Sequence, residues 1–335
     1  MSLPHASQES ARNRADDHAD DHADDHADAR ADARADARAD ARVDDRARDR
    51  AEHRADDHAL EQSAQAKERA LVEWLRARGS VLIGFSGGVD SAYLAAVAVE
   101  SLGAEHTLAV IGRSASYPEA QWAMARQVAD RFAIPVREVS TDEVNDPRYA
   151  ANPVNRCYFC KSELWDTLVP IAIERKIAVV VDGTNADDLS DYRPGAAAAR
   201  EHAVLSPLAA VGLTKADIRL LSRARGIATW SQPSSPCLSS RVPYGTAVTP
   251  ARLRQIEIAE GALRALGVGG DLRVRYHDEL ARVELGAEEL QRWLAPHRSR
   301  QLAAAVRSAG FARVAIDLRG FRSGSLNILG GVAEA

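Results

Sequence analysis

Short apolar runs alternate with stretches of helical periodicity through the middle of the chain. The apolar runs have the length of buried strands and lie at residues 81–85, 107–111, 136–140 and 178–181. Apolar residues recur at helical spacing at 71–78, 92–102, 117–132, 161–175 and 214–225. Strands that alternate with helices of roughly ten or more residues predict a parallel sheet covered by helices on both faces, which is the α/β class.

The pattern changes after residue 226. Gly, Pro and Ser become frequent between 226 and 250, which is typical of a segment between domains. Beyond it we predict a helix, two strands, two helices and a strand, at 250–266, 272–276, 281–285, 287–294, 299–308 and 312–318. The chain would then contain a larger α/β domain at 60–248 and a smaller α+β domain at 249–335, which would serve substrate binding or oligomerisation.

The first 59 residues lack an apolar stripe. Ala-Asp-Asp-His and Ala-Asp-Ala-Arg repeats fill residues 15–42. On a helix, Asp28 and Asp32 would stand four residues apart, so like charges would lie side by side. We predict a disordered or transiently helical tail, because nothing in it offsets the entropy lost on ordering. Histidines such as His18 and His22 leave a metal-binding role open, and the repeat could equally have no function.

Charge and cysteine content narrow the class of protein. The 335 residues carry a formal charge of −5, which gives no reason to expect a nucleic-acid partner. Three cysteines are too few for a disulfide framework and fit a reducing cytoplasm. No apolar run approaches the roughly 20 residues of a membrane span, so we expect a cytoplasmic protein without a membrane segment.

The segment Ser86-Gly-Gly-Val-Asp-Ser91 lies between the first predicted strand and the next helix. A turn there directs main-chain N–H groups and the positive end of a helix dipole towards one spot, which suits an anion. Gly87 and Gly88 allow close approach and the two serines add hydroxyl donors, so a nucleotide phosphate is the expected guest. The segment has neither the ending of a Walker A loop nor the dinucleotide-binding glycine pattern. If only the two glycines are considered, a tightly packed turn without a ligand explains the segment at least as well.

All three cysteines are expected in loops, away from any apolar stripe. Cys157 and Cys160 form Cys-Tyr-Phe-Cys-Lys just before a predicted helix, and Cys237 follows in Ser-Pro-Cys-Leu-Ser-Ser-Arg. Structural cysteines tend to lie on core faces, so this placement favours chemistry. A redox pair, half of a zinc site and three-thiolate ligation of an iron–sulfur cluster all stay open.

Two further groups of polar residues are candidates. Three residues follow the predicted strand at 178–181, where ligands of parallel sheets collect, and would belong to the nucleotide site. They are Thr184, Asn185 and Asp187. Arg273 and Arg275 share one face of a predicted strand, and Glu284 has a corresponding place on the next strand. These arginines either bind a substrate phosphate or form ion pairs on an exposed sheet.

Several short sequence motifs follow one another along the chain in the order that is typical of one known family. They are Ser86-Gly-Gly-Val-Asp-Ser91, Asn155-Arg-Cys-Tyr-Phe-Cys-Lys161, Asp182-Gly-Thr-Asn-Ala-Asp-Asp188, Tyr192-Arg-Pro-Gly195, Ser206-Pro-Leu208 with Gly212-Leu-Thr-Lys215, and Pro236-Cys-Leu-Ser-Ser-Arg-Val-Pro-Tyr-Gly245. Outside the tail, the sequence resembles the LarE family, the sulfur-inserting enzymes of nickel-pincer nucleotide biosynthesis. That family belongs to the PP-loop ATP pyrophosphatase superfamily.

The resemblance implies a reaction and roles for individual residues. Family members cleave ATP between its α- and β-phosphates to adenylate a pyridinium dicarboxylate mononucleotide, and a cysteine sulfur then attacks the acyl-adenylate. Residues 86–91 would bind the ATP phosphates, and Asp90 would contact Mg²⁺ or donor amides. Cys237 would be the nucleophile and sulfur donor, with Arg241 as the cation that favours its thiolate.

Two sulfur routes stay open for such an enzyme. In the first, the Cβ–S bond of Cys237 breaks, which leaves dehydroalanine and spends the protein in a single turnover. In the second, Cys157, Cys160 and Cys237 hold a [4Fe-4S] cluster that carries an extra sulfide, as in family members with an upstream Cys-x-x-Cys pair. The resemblance also associates the strand with Arg273 and Arg275 with the substrate phosphate.

The expected partners are a small nucleotide substrate, other enzymes of pincer-cofactor biosynthesis and further copies of the chain in a ring-like homo-oligomer. One alternative is another PP-loop adenylating enzyme, such as a tRNA thiolase or an amidotransferase-like ligase. The acidic net charge weighs against a tRNA partner. A non-catalytic nucleotide-binding or metal-binding scaffold is a third interpretation, and it predicts ATP binding without pyrophosphate release.

Overall fold

The computed structural model of the chain describes residues 58–190, 194–232 and 237–322. The predicted tail lies outside the described residues, except for residues 58 and 59, and so does the metal-binding role left open for its histidines. Tyr192, Arg193 and Pro236 of the sequence motifs that carry the family resemblance also lie outside them. The described residues from Glu61 onward belong to one compact unit. The domain boundary at 248 stays a prediction.

Four strands form a parallel sheet in the order β3-β2-β1-β4. They are β1 (Val81–Gly84), β2 (Thr107–Arg113), β3 (Val136–Ser140) and β4 (Val179–Val181). All four overlap the predicted apolar runs. β1 lies between two neighbours, with Val81 opposite Thr107 of β2 and Val179 of β4. Parallel neighbours require connections that cross the sheet, which explains the alternation of strands with helices.

Helix α1 covers residues 58–76. The helices that follow it are α2 (Val89–Leu102), α3 (Glu119–Arg131), α4 (Pro147–Ala150), α5 (Arg156–Glu174), α6 (Pro194–Glu201), α7 (Pro207–Ala210), α8 (Lys215–Ala224), α9 (Pro250–Ala265), α10 (Ala287–Trp293) and α11 (Pro296–Arg307). None of the helices within the described ranges is long and apolar enough to cross a membrane. α1 extends further back than the predicted 71–78, because the small buried Ala64 continues the stripe that Leu71 and Leu75 form.

Both faces of the parallel sheet are buried. Successive residues of β1 point to opposite faces. Val81 and Ile83 join the apolar cluster that α2, α3 and α8 supply, whereas Leu82 joins a cluster with Trp165 of α5. Helices therefore cover the sheet on both sides, as its near-continuous apolar strands require. The predicted α/β class is confirmed.

A smaller sheet follows, in the order β5-β6-β7. β5 (Leu272–His277) and β6 (Leu280–Leu285) are antiparallel, and β7 (Arg313–Ile316) is parallel to β6. Val274 of β5 shares an apolar core with Leu253 of α9. The predicted change to a smaller α+β architecture is therefore confirmed.

Candidate active site

The phosphate loop, residues 86–91, joins the end of β1 to the start of α2. Ser86 Oγ lies 3.1 Å from Ser91 Oγ and accepts from Gly88 N at 3.4 Å. Within the described residues, no side chain caps the N-terminus of α2. The first N–H groups of the helix and two hydroxyls are thus gathered where a phosphate would bind.

Gly87 determines the shape of this loop. Its φ is +68°, and a Cβ at this position would lie 2.4 Å from the Cβ of Ala125 on α3. The main chain therefore runs directly against α3, which only glycine permits. Ser86 O holds the loop from the other side, since it accepts from Tyr117 OH at 2.9 Å and from Gln121 Nε2 at 3.1 Å.

Asp90 lies in the first turn of α2 and contacts two residues from distant parts of the chain. Lys215 Nζ lies 2.5 Å from Asp90 Oδ2, and Asn185 Nδ2 donates to Asp90 Oδ1 at 3.4 Å. A lysine on a flexible stem is thereby placed beside the loop that would hold an anion.

The polar residues predicted after β4 form one turn beside the phosphate loop. Asn185 is 2% exposed, and its Oδ1 accepts from Asp187 N at 3.0 Å. Asp187 Oδ2 accepts from Lys215 N at 2.8 Å. Thr184 Oγ1 donates to Asp182 Oδ2 at 2.9 Å. These bonds fix the turn at the carboxyl end of the sheet, the usual place for a ligand of a parallel sheet.

Two of the three cysteines lie in a helix, so the prediction that all three occupy loops is wrong. Cys157 and Cys160 are the second and fifth residues of α5, whereas Cys237 directly precedes a 3₁₀ turn. α5 starts earlier than predicted because Phe159 and Cys160 pack against the core of the smaller sheet. Such a tertiary contact has no periodic signature in the sequence.

The three thiols share one electrostatic environment. All three are free. Burial raises the pKa of Cys160, and the charges of Glu143 and Cys237 raise it further. Cys157 reaches the surface, yet protein surrounds most of its thiol, so burial and the charge of Cys237 raise its pKa while Arg156 opposes them. The charge of Cys237 therefore acts on both of the other thiols.

Arg156 is a buried cation beside these thiols. It is 4% exposed, and its Nη1 donates to Asn152 Oδ1. Burial alone would lower the pKa of Arg156, but the negative charges of Cys237 and Cys157 reverse this effect and raise it. Its Nε is buried without a hydrogen-bond partner among the described residues. A thiolate of Cys237 would therefore form near a fixed positive charge.

The cysteine loop, residues 237–241, is fixed by hydrogen bonds to its main-chain atoms. Arg241 is 2% exposed, and its Nη1 donates to Cys237 O at 3.1 Å. Its Nε and Nη2 donate to the carboxylate of Glu260 at 2.9 and 3.0 Å. Leu238 N donates to Ser116 O at 2.8 Å. These contacts assign Arg241 a part in shaping the loop, since a buried ion pair is disrupted only at a large cost in stability.

The arginines of β5 are buried beneath the cysteine loop, so the sheet is not exposed as the competing interpretation required, although the ion pair that it predicted is present. Arg273 is 4% exposed and Arg275 is 6% exposed. Arg275 Nη1 donates to Ser240 O at 2.8 Å, and its Nη2 pairs with Glu284 at 2.9 Å. Burial and the neighbouring Arg241 lower the pKa of Arg273 to about 10, so it stays charged at neutral pH. Charged, buried arginines are suited to bind an anion such as phosphate.

No resident metal site is preformed in the part of the chain that the structure describes. There, no group of three or more His, Cys, Asp and Glu side chains is placed to hold a metal ion. The three free thiols have the chemistry of iron–sulfur ligands, but their spacing is not that of a closed metal site.

A glycine-rich loop at the end of an inner strand of a parallel sheet, followed directly by a helix N-terminus, defines an ATP-using enzyme of the PP-loop class. Similarity to known families agrees with this class. The family model described as NAD synthase matches residues 65–151, which include the phosphate loop.

Three relatives cover most of the chain. An uncharacterized protein of Synechocystis is 43% identical over 246 residues, 73% of this chain and 91% of that protein. The pyridinium-3,5-bisthiocarboxylic acid mononucleotide synthase of Lactiplantibacillus plantarum is 34% identical over 263 residues, 78% of this chain and 94% of that enzyme. An uncharacterized protein of Methanocaldococcus jannaschii is 28% identical over 245 residues, 72% of this chain and 91% of that protein. The chain belongs to the family of the synthase, the LarE family of ATP-dependent sulfur transferases.

The sequence assigned no role to two residues that the structure places at the site, and it made a third, Glu260, only a weak candidate. Lys215 and Arg156 are charged residues inside the sequence motifs that carry the family resemblance, and this position could have marked both as site residues. Glu260 lies on α9, the helix that follows the cysteine loop, and it was only a weak candidate because acids on helices are most often solvated. Its contact with Arg241 becomes visible only in three dimensions.

Proposed function

We propose that this protein inserts sulfur into a pyridinium dicarboxylate mononucleotide and forms a thiocarboxylate, the kind of product in the name of the L. plantarum relative. The observation that carries the proposal is a connection between the two loops. Tyr117 OH donates to Ser86 O of the phosphate loop, and Ser116 O accepts from Leu238 N of the cysteine loop. An activating site and a sulfur site are therefore adjacent parts of one unit.

The first proposed step makes the substrate carboxylate reactive. A carboxylate resists nucleophilic attack because it is anionic and has no good leaving group. Its oxygen attacks the α-phosphate of ATP, so an acyl-adenylate forms and pyrophosphate leaves. Residues 86–91 would bind the phosphates through N–H groups and hydroxyls, beside the turn with Thr184, Asn185 and Asp187. Mg²⁺ would neutralise the polyphosphate, with Asp90 as its candidate protein ligand.

The second proposed step uses Cys237. Its thiolate adds to the acyl carbon and AMP leaves, which gives a thioester. In the sacrificial route, a base then removes the Cα proton of Cys237, and the Cβ–S bond breaks. The products are a dehydroalanine residue and the thiocarboxylate. Arg156 supplies positive charge near the anionic sulfur.

A [4Fe-4S] cluster is the alternative sulfur carrier. Cys157, Cys160 and Cys237 would be its ligands, since all three thiols are free and the charge of Cys237 acts on the other two. When bound, the cluster would supply a sulfide in place of the cysteine sulfur.

A single reaction mixture tests the function and separates the two routes. Purified protein is incubated anaerobically with ATP, Mg²⁺ and the carboxylated mononucleotide. The masses of the product and of the protein's peptides are then measured by mass spectrometry. Pyrophosphate release without any thiocarboxylate would contradict the proposal. Loss of about 34 Da, the mass of H₂S, from the Cys237 peptide indicates the sacrificial route. An unchanged peptide with product indicates the cluster, and iron and sulfide content of the same sample provides an independent check.

Replacement of Arg273 should weaken binding of the substrate phosphate. We expect Arg273→Gln to raise the KM for the mononucleotide roughly ten- to a hundredfold, because a charge-assisted contact is lost. The KM for the matching nucleoside, which lacks the phosphate, should change little. ATP–pyrophosphate exchange at varied concentrations of each substrate measures both values. Arg254→Gln, which removes a charge from the exposed face of α9, is the control. An equal rise for both substrates would argue against a phosphate contact.

We propose that this enzyme works in the cytoplasm. Free thiols without a disulfide fit a reducing cytoplasm, as expected from the sequence. We propose a homo-oligomer that passes its product to other enzymes of pincer-cofactor biosynthesis. Light scattering of the purified protein measures the oligomeric state.

A further inference from the structure

Glu143 is a buried carboxylate that the proposed mechanism does not use. It is 2% exposed and begins the turn Glu143–Asn145, which follows β3. Its Oε1 accepts from Ser114 Oγ at 2.5 Å and from Ser116 Oγ at 2.7 Å. Its Oε2 is buried and has no hydrogen-bond partner among the described residues.

This arrangement is unfavourable for stability alone. Burial of a carboxylate opposes folding unless hydrogen bonds use its full capacity, and only one of the two Glu143 oxygens is satisfied by described residues. A well-packed apolar side chain of similar size is often at least as stabilising as a buried charge. A buried polar atom without a hydrogen-bond partner calls for a functional explanation. The two serine hydroxyls that Glu143 binds indicate what that function is.

The two serines belong to the bridging loop, residues 114–117, between β2 and α3. Tyr117 OH of this loop donates to Ser86 O of the phosphate loop at 2.9 Å. Ser116 O accepts from Leu238 N of the cysteine loop at 2.8 Å. One short segment therefore contacts both the activating loop and the loop that carries the sulfur nucleophile. Glu143 anchors that segment through two short hydroxyl–carboxylate bonds, which are among the stronger hydrogen bonds in proteins.

We propose that Glu143 is a positioning residue, which fixes the bridging loop so that the Cys237 sulfur is held in reach of the carboxylate activated at the phosphate loop. The inference rests on the proposed function. Without Glu143, the serine hydroxyls lose their acceptor and the Ser116 carbonyl is free to turn away from the cysteine loop. The phosphate loop keeps its contacts with Gln121 and Lys215. Adenylation should therefore persist while sulfur transfer is slowed, since a misplacement of about 1 Å can lower a rate about a hundredfold.

Two variants at one position test this separation. ATP–pyrophosphate exchange measures adenylation, and mass analysis of product over time measures sulfur transfer. We expect Glu143→Ala to keep the exchange rate within about twofold of wild type and to form thiocarboxylate roughly ten- to a hundredfold more slowly. Glu143→Gln should recover most of this loss, because an amide oxygen also accepts from both hydroxyls. Thermal unfolding of both variants shows whether the fold is intact.

Ser116→Ala provides the same test with little change in volume, in case Glu143→Ala does not fold. It removes one of the two anchoring contacts, and we expect a smaller, selective loss of sulfur transfer. Ser308→Ala on the exposed end of α11 is the control.

Three outcomes would overturn the inference. They are an equal loss of exchange and sulfur transfer, unchanged sulfur transfer in Glu143→Ala and Ser116→Ala, and a Glu143→Gln protein as impaired as Glu143→Ala. Absence of thiocarboxylate from the wild-type protein would overturn the proposed function and this inference together. Wild-type product formation with unaffected variants would overturn the inference alone.

Discussion

Cys237→Ala is expected to abolish thiocarboxylate formation, with a fall of at least roughly a thousandfold, as for other lost nucleophiles. ATP–pyrophosphate exchange should stay within about threefold of wild type. Both sulfur routes require the Cys237 thiol, whereas the contacts that hold Ser86 O come from Tyr117 and Gln121. Exchange assays and mass analysis of the product measure the two activities on one protein preparation.

Cys157→Ser and Cys160→Ser are the matched controls. If Cys237 gives up its own sulfur, each serine variant should still form about one product molecule per protein molecule. If a cluster supplies the sulfur, both should lose product and iron together. Near-normal product formation by Cys237→Ala would contradict the role of this residue. Loss of exchange in Cys237→Ala would instead show that the cysteine loop supports the ATP site.

Gly87→Ala should reduce ATP–pyrophosphate exchange by at least roughly a hundredfold, since a small displacement of reacting groups has an effect of this size. The alanine Cβ would lie 2.4 Å from Ala125 Cβ and 2.7 Å from Ala125 Cα, at a residue with a φ of +68°. Either the phosphate loop or α3 must then move, which displaces the N–H groups at the start of α2. We also expect a lower melting temperature, from strain of about 1–3 kcal/mol.

Gly261→Ala is the control for this substitution. Gly261 lies inside α9, and a Cβ there would meet nothing within 4 Å. Alanine favours the helical state over glycine by about 1 kcal/mol, so this protein should be as active as wild type and at least as stable. If Gly87→Ala exchanged pyrophosphate as fast as Gly261→Ala, the phosphate loop would not be the ATP site.

The architecture was predictable because its signals are local. Apolar runs of strand length and helical stretches are read from neighbouring residues, and they led to the correct parallel sheet and smaller second sheet. The early start of α5 was not predictable in this way. Its first turn is stabilised by Phe159 against a distant core, and Cys157 and Cys160 therefore lie on a helix.

The candidate site was predictable only in part. Residues 86–91 are contiguous, so their string and its flanking elements were sufficient to indicate phosphate binding. Asp90 pairs with Lys215, which is 125 residues away, and no local pattern links them. Arg241 was expected beside the Cys237 thiol from its spacing of four residues. In the structure Arg241 donates to the main-chain carbonyl of Cys237 and forms a buried ion pair with Glu260, which spacing along the chain does not reveal.

The order of amino acids alone was enough to predict the layered α/β fold and to mark residues 86–91 and the three cysteines as candidates for phosphate binding and sulfur chemistry. Folding decided which charges surround those cysteines. Arg156 and Glu143 are buried and act on the cysteines from separate elements, and the buried Arg273 acts on Arg241 of the cysteine loop from a third. Burial and distance set the strength of their interactions, and both quantities exist only once strands and helices far apart in the chain have packed against one another.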